Sequence, residues 1–310
     1  MVTTLKPGAS LWPGISVTVL PAPGKYKCHP GALEAQAQVA DFARRWQILP
    51  PTFEAYNTMF SFVYPATSLA RLVTIGKIFC IFFYLDDVLL DVLETQRPVS
   101  KLETIGACLK VFQTGQLPTH PTRLERAVQE VREEILAQAN EQWLKRFATT
   151  VVAYLQTSRQ FSAKPDLGAE LDNIEDYLRL RELDSGTYTG MDLIEFAQDN
   201  YLPAEILNHP AIQDLREMAA WIWAGMNDLI SYHKEIVLNR PGSNMLSWLV
   251  NSQKMPLEVA AGEVINLVNS LVLDFNRKLA NLPDLEDEKL NLAMQQYVSG
   301  LQDLVAAAWH

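Results

Sequence analysis

Asn227-Asp228-Leu229-Ile230-Ser231-Tyr232-His233-Lys234-Glu235 lies inside a longer run, Pro210 to Leu238. Apolar residues recur there at helical spacing, so the stretch is expected to be a helix. Asn227, Ser231 and Glu235 fall at i, i+4 and i+8 and share one face. An amide oxygen, a hydroxyl and a carboxylate make a hard, all-oxygen donor set. Mg2+ suits such a set, because it takes octahedral oxygen coordination and keeps part of its water shell for a phosphate to complete. Lys234, nearly on the same face, is placed to bind an anion held by that metal. Asp228 points about 100° away and is expected to pack or pair rather than ligate. The bland alternative is an ordinary polar stripe. The restrictive spacing, with Trp221 and Trp223 just upstream implying burial, favours a functional reading.

A second acidic stretch lies far upstream: Phe82-Phe83-Tyr84-Leu85-Asp86-Asp87-Val88-Leu89-Leu90-Asp91. On a helix Asp87 and Asp91 are one turn apart, and Asp86 sits at the margin of the same face. Three carboxylates ending an apolar helix are costly unless water or cations meet them. A helix emerging into solvent accounts for them equally well, so this motif gains meaning only beside the other. Two oxygen-rich faces looking at each other across a cavity would bind a cluster of Mg2+ and a diphosphate. Phe79, Phe82 and Phe83 lie just below the acids. Phe79 and Phe83 are on the metal-facing side, where aromatic rings stabilise a carbocation through their quadrupoles. Plain core packing is the alternative for all three. His233 points off the metal face, and Cys80 reads as a small buried hydrophobe.

After His29-Pro30-Gly31 the pattern turns helical. Such patterns cover Ala32 to Trp46, Thr67 to Leu93, Pro121 to Leu155, Leu171 to Leu183, Gly190 to Tyr201, Pro256 to Leu279 and Leu285 to the end. Breaks fall at Pro50-Pro51, Pro98, Pro118 to Pro121, Lys164-Pro165-Asp166, Asp184-Ser185-Gly186, Pro203 and Arg240-Pro241-Gly242. No stretch alternates between hairpin turns, so sheet finds no support. Residues 1–30 hold five of the 17 prolines and form an irregular lead-in. Residues 31–310 are expected to be one all-α domain, a bundle of roughly ten helices around a deep apolar pocket.

Net charge −10 argues against nucleic acid and anionic membranes as partners, because the mean field repels both. An anionic ligand therefore needs metal ions or a few local cations. The three cysteines, Cys28, Cys80 and Cys108, have unrelated spacings and suggest a reducing cytoplasm. The N-terminus has no apolar signal segment, and the strongest apolar run, Ile78 to Leu85, is too short to span a bilayer.

Asp86-Asp87-x-x-x-Asp91 resembles the aspartate-rich motif of class I terpene synthases. Asn227-Asp228-x-x-Ser231-x-x-Lys234-Glu235 resembles their second metal motif. Its Lys-Glu ending, and its distance from the first motif, are similar to the bacterial branch. The second motif is specific and the first is loose by itself; the resemblance covers nearly the whole chain, from His29-Pro30 to Trp309. It implies an isoprenoid-synthase helical bundle, with Asp86, Asp87, Asp91, Asn227, Ser231 and Glu235 holding Mg2+, three ions in all. The implied reaction is ionisation and cyclisation of a prenyl diphosphate, with farnesyl diphosphate, giving a sesquiterpene, as first choice. Geranyl and geranylgeranyl diphosphates stay open, as does a homodimer.

The resemblance also implies a diphosphate-sensing arginine at a set distance before the second motif. That place falls on Arg181, in Tyr177-Leu178-x-x-Arg181, with Arg179 as the competing reading and a surface salt bridge as the bland one. Lys234 is a second diphosphate contact. A linker acid and a residue at a helix break, whose carbonyl helps trigger ionisation, fall on Asp184 and Ser185. With Phe83 and Arg181 they complete the implied catalytic set. The family ends with an Arg-Tyr pair shortly after a tryptophan, whereas this sequence stops at Trp309-His310. The expectation is a longer natural chain, or a clamp lost or replaced, with Trp309 near the pocket mouth. A chain-elongating prenyl diphosphate synthase would carry a second aspartate-rich motif in place of the Asn/Ser/Glu set. A non-catalytic relic that binds prenyl diphosphate is the alternative of another class.

Overall fold

The computed structural model describes residues 19–24, 26–50, 53–86, 99–163, 171, 173–237 and 244–309. Among them every regular element is a helix. In chain order these are α1 (Ala32–Trp46), α2 (Phe53–Tyr56), α3 (Met59–Val63), α4 (Leu69–Tyr84), α5 (Val99–Thr114), α6 (Arg123–Leu136) and α7 (Glu141–Ala163). There follow α8 (Ile174–Asp184), α9 (Thr187–Gln198), α10 (Ala204–Leu207), α11 (Pro210–Val237), α12 (Met245–Asn251), α13 (Leu257–Leu279) and α14 (Glu288–Ala307). Four of these, α2, α3, α10 and α12, are too short to show helical periodicity, which is why a pattern-based count falls lower. No described helix is long and apolar enough to cross a membrane.

The chain divides into two compact units. One comprises residues 27–162 and 192–201. Its α4 packs on α1, α2, α3 and α6, and α6 packs on α5. The apolar stripe of α6, Leu124, Ala127, Val128, Val131 and Ile135, is buried at the i, i+3, i+4, i+7 spacing that an amphipathic helix requires. Thr122 and Glu125 close its N-terminus as a reciprocal capping box. Close approach of α4 needs Gly76, where a Cβ would come 2.5 Å from Val39 and 2.8 Å from Phe60. Arg71 ties three segments together: it donates to the carbonyls of Phe196 and Gln138 and to the Asp199 carboxylate. The entry into α1 is held by His29. Its Nδ1 accepts from the Gly31 N–H at 2.9 Å, so Nε2 carries the proton and donates to the Thr67 carbonyl at 2.9 Å.

The other unit comprises residues up to 26, 163–191 and 202–310. Its axis is α11, against which α8, α10, α12, α13 and α14 pack. Pro210 opens α11 at the position where a missing N–H costs nothing. Gly225 lets α13 lie close, since a Cβ there would stand 2.8 Å from Val268. Arg216 is buried, donates to the Tyr297 hydroxyl and lies 5.5 Å from the Tyr188 ring centre. Leu20, in the irregular lead-in, is tied at both backbone groups: its N–H donates to Asn269 Oδ1 at 2.7 Å, and its carbonyl accepts from the Trp309 indole at 3.0 Å. Trp309 is buried, fastened to that lead-in.

Candidate active site

The site is built on α11 because its apolar residues settle which way the helix turns. Ile212, Leu215, Ala219, Ile222, Met226 and Leu229 are buried against the neighbouring helices. Asn227 then projects to the exposed side, and Ser231, one turn on, is half-buried. Asp228 lies on the inner side and is fully buried.

A buried carboxylate needs a cation or several donors, and Asp228 has both. Arg181 of α8 donates to Asp228 Oδ1 from Nε at 3.0 Å and from Nη2 at 2.6 Å. Its Nη2 also reaches Asn227 Oδ1 at 3.0 Å, and its Nη1 reaches Asp184 Oδ2 at 3.1 Å. Burial alone would lower the pKa of Arg181; the charges of Asp228 and Asp184 outweigh it and hold the pKa well above the usual value. The guanidinium has five N–H donors and these bonds use four, leaving one on Nη1 without a partner among the described residues. Arg179, two residues away, is exposed and pairs with Glu175 on its own helix at 2.8 Å. Of the two arginines weighed from the sequence, only Arg181 meets the second motif.

The end of α8 is shaped for a sharp break. Asn173 caps its start through the Asp176 N–H, and Ser185 closes it by donating backbone N–H to the Arg181 carbonyl at 2.9 Å. Gly186 follows at φ +67°, a conformation that glycine takes without the Cβ penalty. The Ser185 hydroxyl donates to the Glu182 carbonyl and accepts from the Thr187 N–H, spanning the break. Asp184 and Ser185 thus sit at a helix junction, the first in contact with Arg181.

Two participants were not legible as site residues. Asp228 Oδ2 accepts the backbone N–H of Met245 at 2.8 Å, and Asn244 Nδ2 donates to the Asp228 carbonyl at 2.9 Å. Asn244 caps α12 through the N–H groups of Leu246 and Ser247. A helix-start signal existed: Asn244 follows Pro241-Gly242 and precedes the apolar run Met245 to Val250. The run is too short to mark a helix by period.

The donor chemistry fits a hard divalent cation. Arginine only donates, so the Asn227 amide must turn its oxygen, not its nitrogen, toward Arg181. That oxygen keeps a second lone pair on an exposed side chain. Ser231 adds a hydroxyl one turn further on. Among the described residues no three His, Cys, Asp or Glu side chains gather as a metal cluster. Asp87 and Asp91 lie outside the described residues. Lys234 and Glu235 belong to α11, but their side chains lie outside what is described. Asp86 is half-buried and follows α4 in a π-helical turn.

The aromatic residues below Asp86 divide. Phe83 is half-buried, with one ring face stacked on Tyr56 at 3.6 Å between centres. Phe79 meets Phe60, Tyr64 and the edge of Phe83. The cavity they border with Phe53 and Pro50 is only about 10 Å3, room for a single water. Phe82 turns toward Phe147 and Tyr154. His233 is exposed and Cys80 is buried, its thiol pushed up to about 12 by burial. Trp221 and Trp223 are half-buried, not buried; the Trp221 indole needs its polar edge free to donate to Glu182 at 2.7 Å.

Residues 77–274, more than half of the chain, match the family described as terpene synthase family 2, C-terminal metal binding. A (+)-T-muurolol synthase ((2E,6E)-farnesyl diphosphate cyclizing) of Roseiflexus castenholzii is 27% identical over 226 residues, covering 73% of this chain and 68% of that one. Germacradien-4-ol synthase from Streptomyces citricolor superposes with a TM-score of 0.78 at 21% identity, over 94% of this chain and 97% of that one. Linalool/nerolidol synthase from Streptomyces clavuligerus, solved with 2-fluorogeranyl diphosphate, gives 0.80 at 19% identity, over 94% and 97%. The two structures share this fold.

Proposed function

The chain belongs to terpene synthase family 2, and on that footing we propose that it ionises farnesyl diphosphate with the help of Mg2+ and cyclises the cation to a sesquiterpene. The observation that carries the reading is the bond from Arg181 Nη2 to Asn227 Oδ1. It joins the arginine assigned to the diphosphate and the amide assigned to the metal in one hydrogen-bonded group.

Asn227, Ser231 and Glu235 would hold metal on α11, and Asp86, Asp87 and Asp91 would supply the aspartate-rich motif's ligands. Bound Mg2+ supplies positive charge at the diphosphate oxygens, lowering the barrier to loss of the leaving group. Arg181, kept charged by Asp228 and Asp184, offers its remaining Nη1 N–H to the diphosphate, and Lys234 adds a second cation. Ser185, at the break after α8, presents backbone to the same anion. Phe83 keeps one ring face for a carbocation while Tyr56 covers the other. Fixed donors of this kind stabilise developing charge without reorganising.

Farnesyl diphosphate is favoured because the relative from Roseiflexus castenholzii is named for cyclising it. The test is to incubate the protein with Mg2+ and geranyl, farnesyl or geranylgeranyl diphosphate separately, then analyse extracted volatiles. A cyclic C15 product from farnesyl diphosphate is expected. Turnover only when isopentenyl diphosphate is added, giving a longer linear diphosphate, would assign chain elongation instead.

A further inference from the structure

We propose that Trp223 sets the length of prenyl chain that the enzyme accepts; the proposal rests on the function given above and names a residue that has no part in it. Trp46, Trp143, Trp221 and Trp309 each donate the indole N–H to a protein oxygen, and Trp248 stacks on Tyr177. Among the described tryptophans only Trp223 makes neither a hydrogen bond nor a ring contact. It is half-buried on α11. Being two residues apart places it about 160° around the helix from Trp221, which faces Glu182 of α8. An indole held this way buries part of its area and commits neither its N–H nor a ring face to another group.

Trp223 precedes Asn227 by one turn, about 40° from it around the axis and about 6 Å along it. Asn227 accepts from Arg181 Nη2 at 3.0 Å, the pair read above as the anchor for metal and diphosphate. Past Asn227 the helix carries the polar residues Ser231, Lys234 and Glu235. Before it on that side come Trp223 and then Ala219 and Ala220, both fully buried. An anion held at the polar end leaves its hydrocarbon the apolar direction, toward Trp223. With alanines one turn further back, the indole is the largest group on that stretch of α11, and it is bulkier than an isoprene unit. A single methylene of fit in an apolar pocket discriminates between substrates by about 10- to 200-fold. An indole in this position therefore decides between chains that differ by a whole isoprene unit.

The test measures kcat/KM for farnesyl and geranylgeranyl diphosphate in the wild type, Trp223→Ala, Trp223→Phe and Trp221→Phe. Thermal unfolding and the binding of Mn2+ with inorganic diphosphate are read alongside. Trp223→Ala is expected to raise the ratio of geranylgeranyl to farnesyl use by at least about 10-fold, with Trp223→Phe between it and the wild type. Mn2+ binding should be unchanged in both, because the indole meets hydrocarbon and not the anion. Trp221→Phe loses the bond to Glu182; it should unfold at lower temperature and keep the wild-type ratio. An unchanged ratio in Trp223→Ala overturns the proposal, and so does an equal shift in Trp221→Phe, which would mark a general loosening. If Trp223→Ala does not fold, Trp223→Leu makes the same comparison while filling more of the vacated volume. A wild-type chain that turns over none of the prenyl diphosphates overturns the proposed function itself, and with it this role for Trp223.

Discussion

Arg181 places two of its N–H groups on a single oxygen of Asp228, Nε at 3.0 Å and Nη2 at 2.6 Å, while the other oxygen of that carboxylate holds the first backbone N–H of α12. Both partners are buried. Asp228 is therefore a structural counter-charge, joining α8, α11 and α12, and its neighbour Asn227 is the exposed group available to a ligand. We therefore propose that these two adjacent residues of one motif have separate duties.

Those duties are separable by measurement. Asp228→Asn breaks a buried ion pair and is expected to cost about 3 kcal/mol of stability or more, read as a lower midpoint in urea. Asn227→Ala removes an exposed amide that accepts one bond from Arg181, should cost clearly less, about 1 kcal/mol, and should nearly abolish turnover. Equal loss of stability at both positions would contradict the division.

The arginines separate in the same way. Arg179→Ala removes an exposed pair within one helix, and both stability and the binding of inorganic diphosphate with Mg2+ should be nearly unchanged. Arg181→Ala should weaken diphosphate binding strongly and destabilise the fold, because Asp228 and Asp184 lose their cation. Adding Asp228→Asn to Arg181→Ala should recover part of the stability and none of the diphosphate binding. Larger binding loss at Arg179 would show that α8 meets its ligand through the other face.

Much of this geometry was legible in the sequence, for identifiable reasons. α1 and α11 match their apolar patterns almost to the residue, since each buries one continuous stripe. The pattern from Pro121 to Leu155 reads as one helix but is two. Residues 137–140 interrupt it, and Asn140 accepts the Trp143 N–H to begin α7. α5 lies between the breaks at Pro98 and Pro118 and is not one of the helical patterns named from the sequence, although Ile105, Cys108, Val111 and Phe112 are buried at helical spacing. The face shared by Asn227 and Ser231 follows from helix geometry alone. The partners of Asp228 do not, because Arg181 and Met245 come from distant segments and only packing selects them.

Glu182 supplies a pH test. Burial raises its carboxyl above the ordinary range, against the opposing hydrogen bond from Trp221. An acid whose folded-state pKa is raised contributes stability fully below its unfolded pKa, and that contribution is lost as pH rises through the folded value. Glu182→Gln, which can still accept from Trp221, should match the wild type near pH 4 and unfold at higher temperature near pH 8. A gap that is widest at low pH would reverse the sign and refute the assignment.

The cysteines give a check on packing. Burial pushes the thiols of Cys80 and Cys108 to about 12, whereas Cys28 is exposed. At pH 8 the folded protein should react with iodoacetamide at Cys28 alone, and at all three positions only after unfolding. Rapid modification of Cys80 in the folded state would mean that the core around Phe79 and Ile48 is open.

The central claim is that a divalent metal is required for loss of diphosphate from a prenyl substrate. The most direct measurement follows diphosphate release from farnesyl diphosphate by the purified protein in Mg2+, in excess EDTA, and after Mg2+ is restored. The account predicts release in the first, none above background in the second and recovery in the third, with terpene formed in step with diphosphate. Undiminished release in EDTA would contradict it.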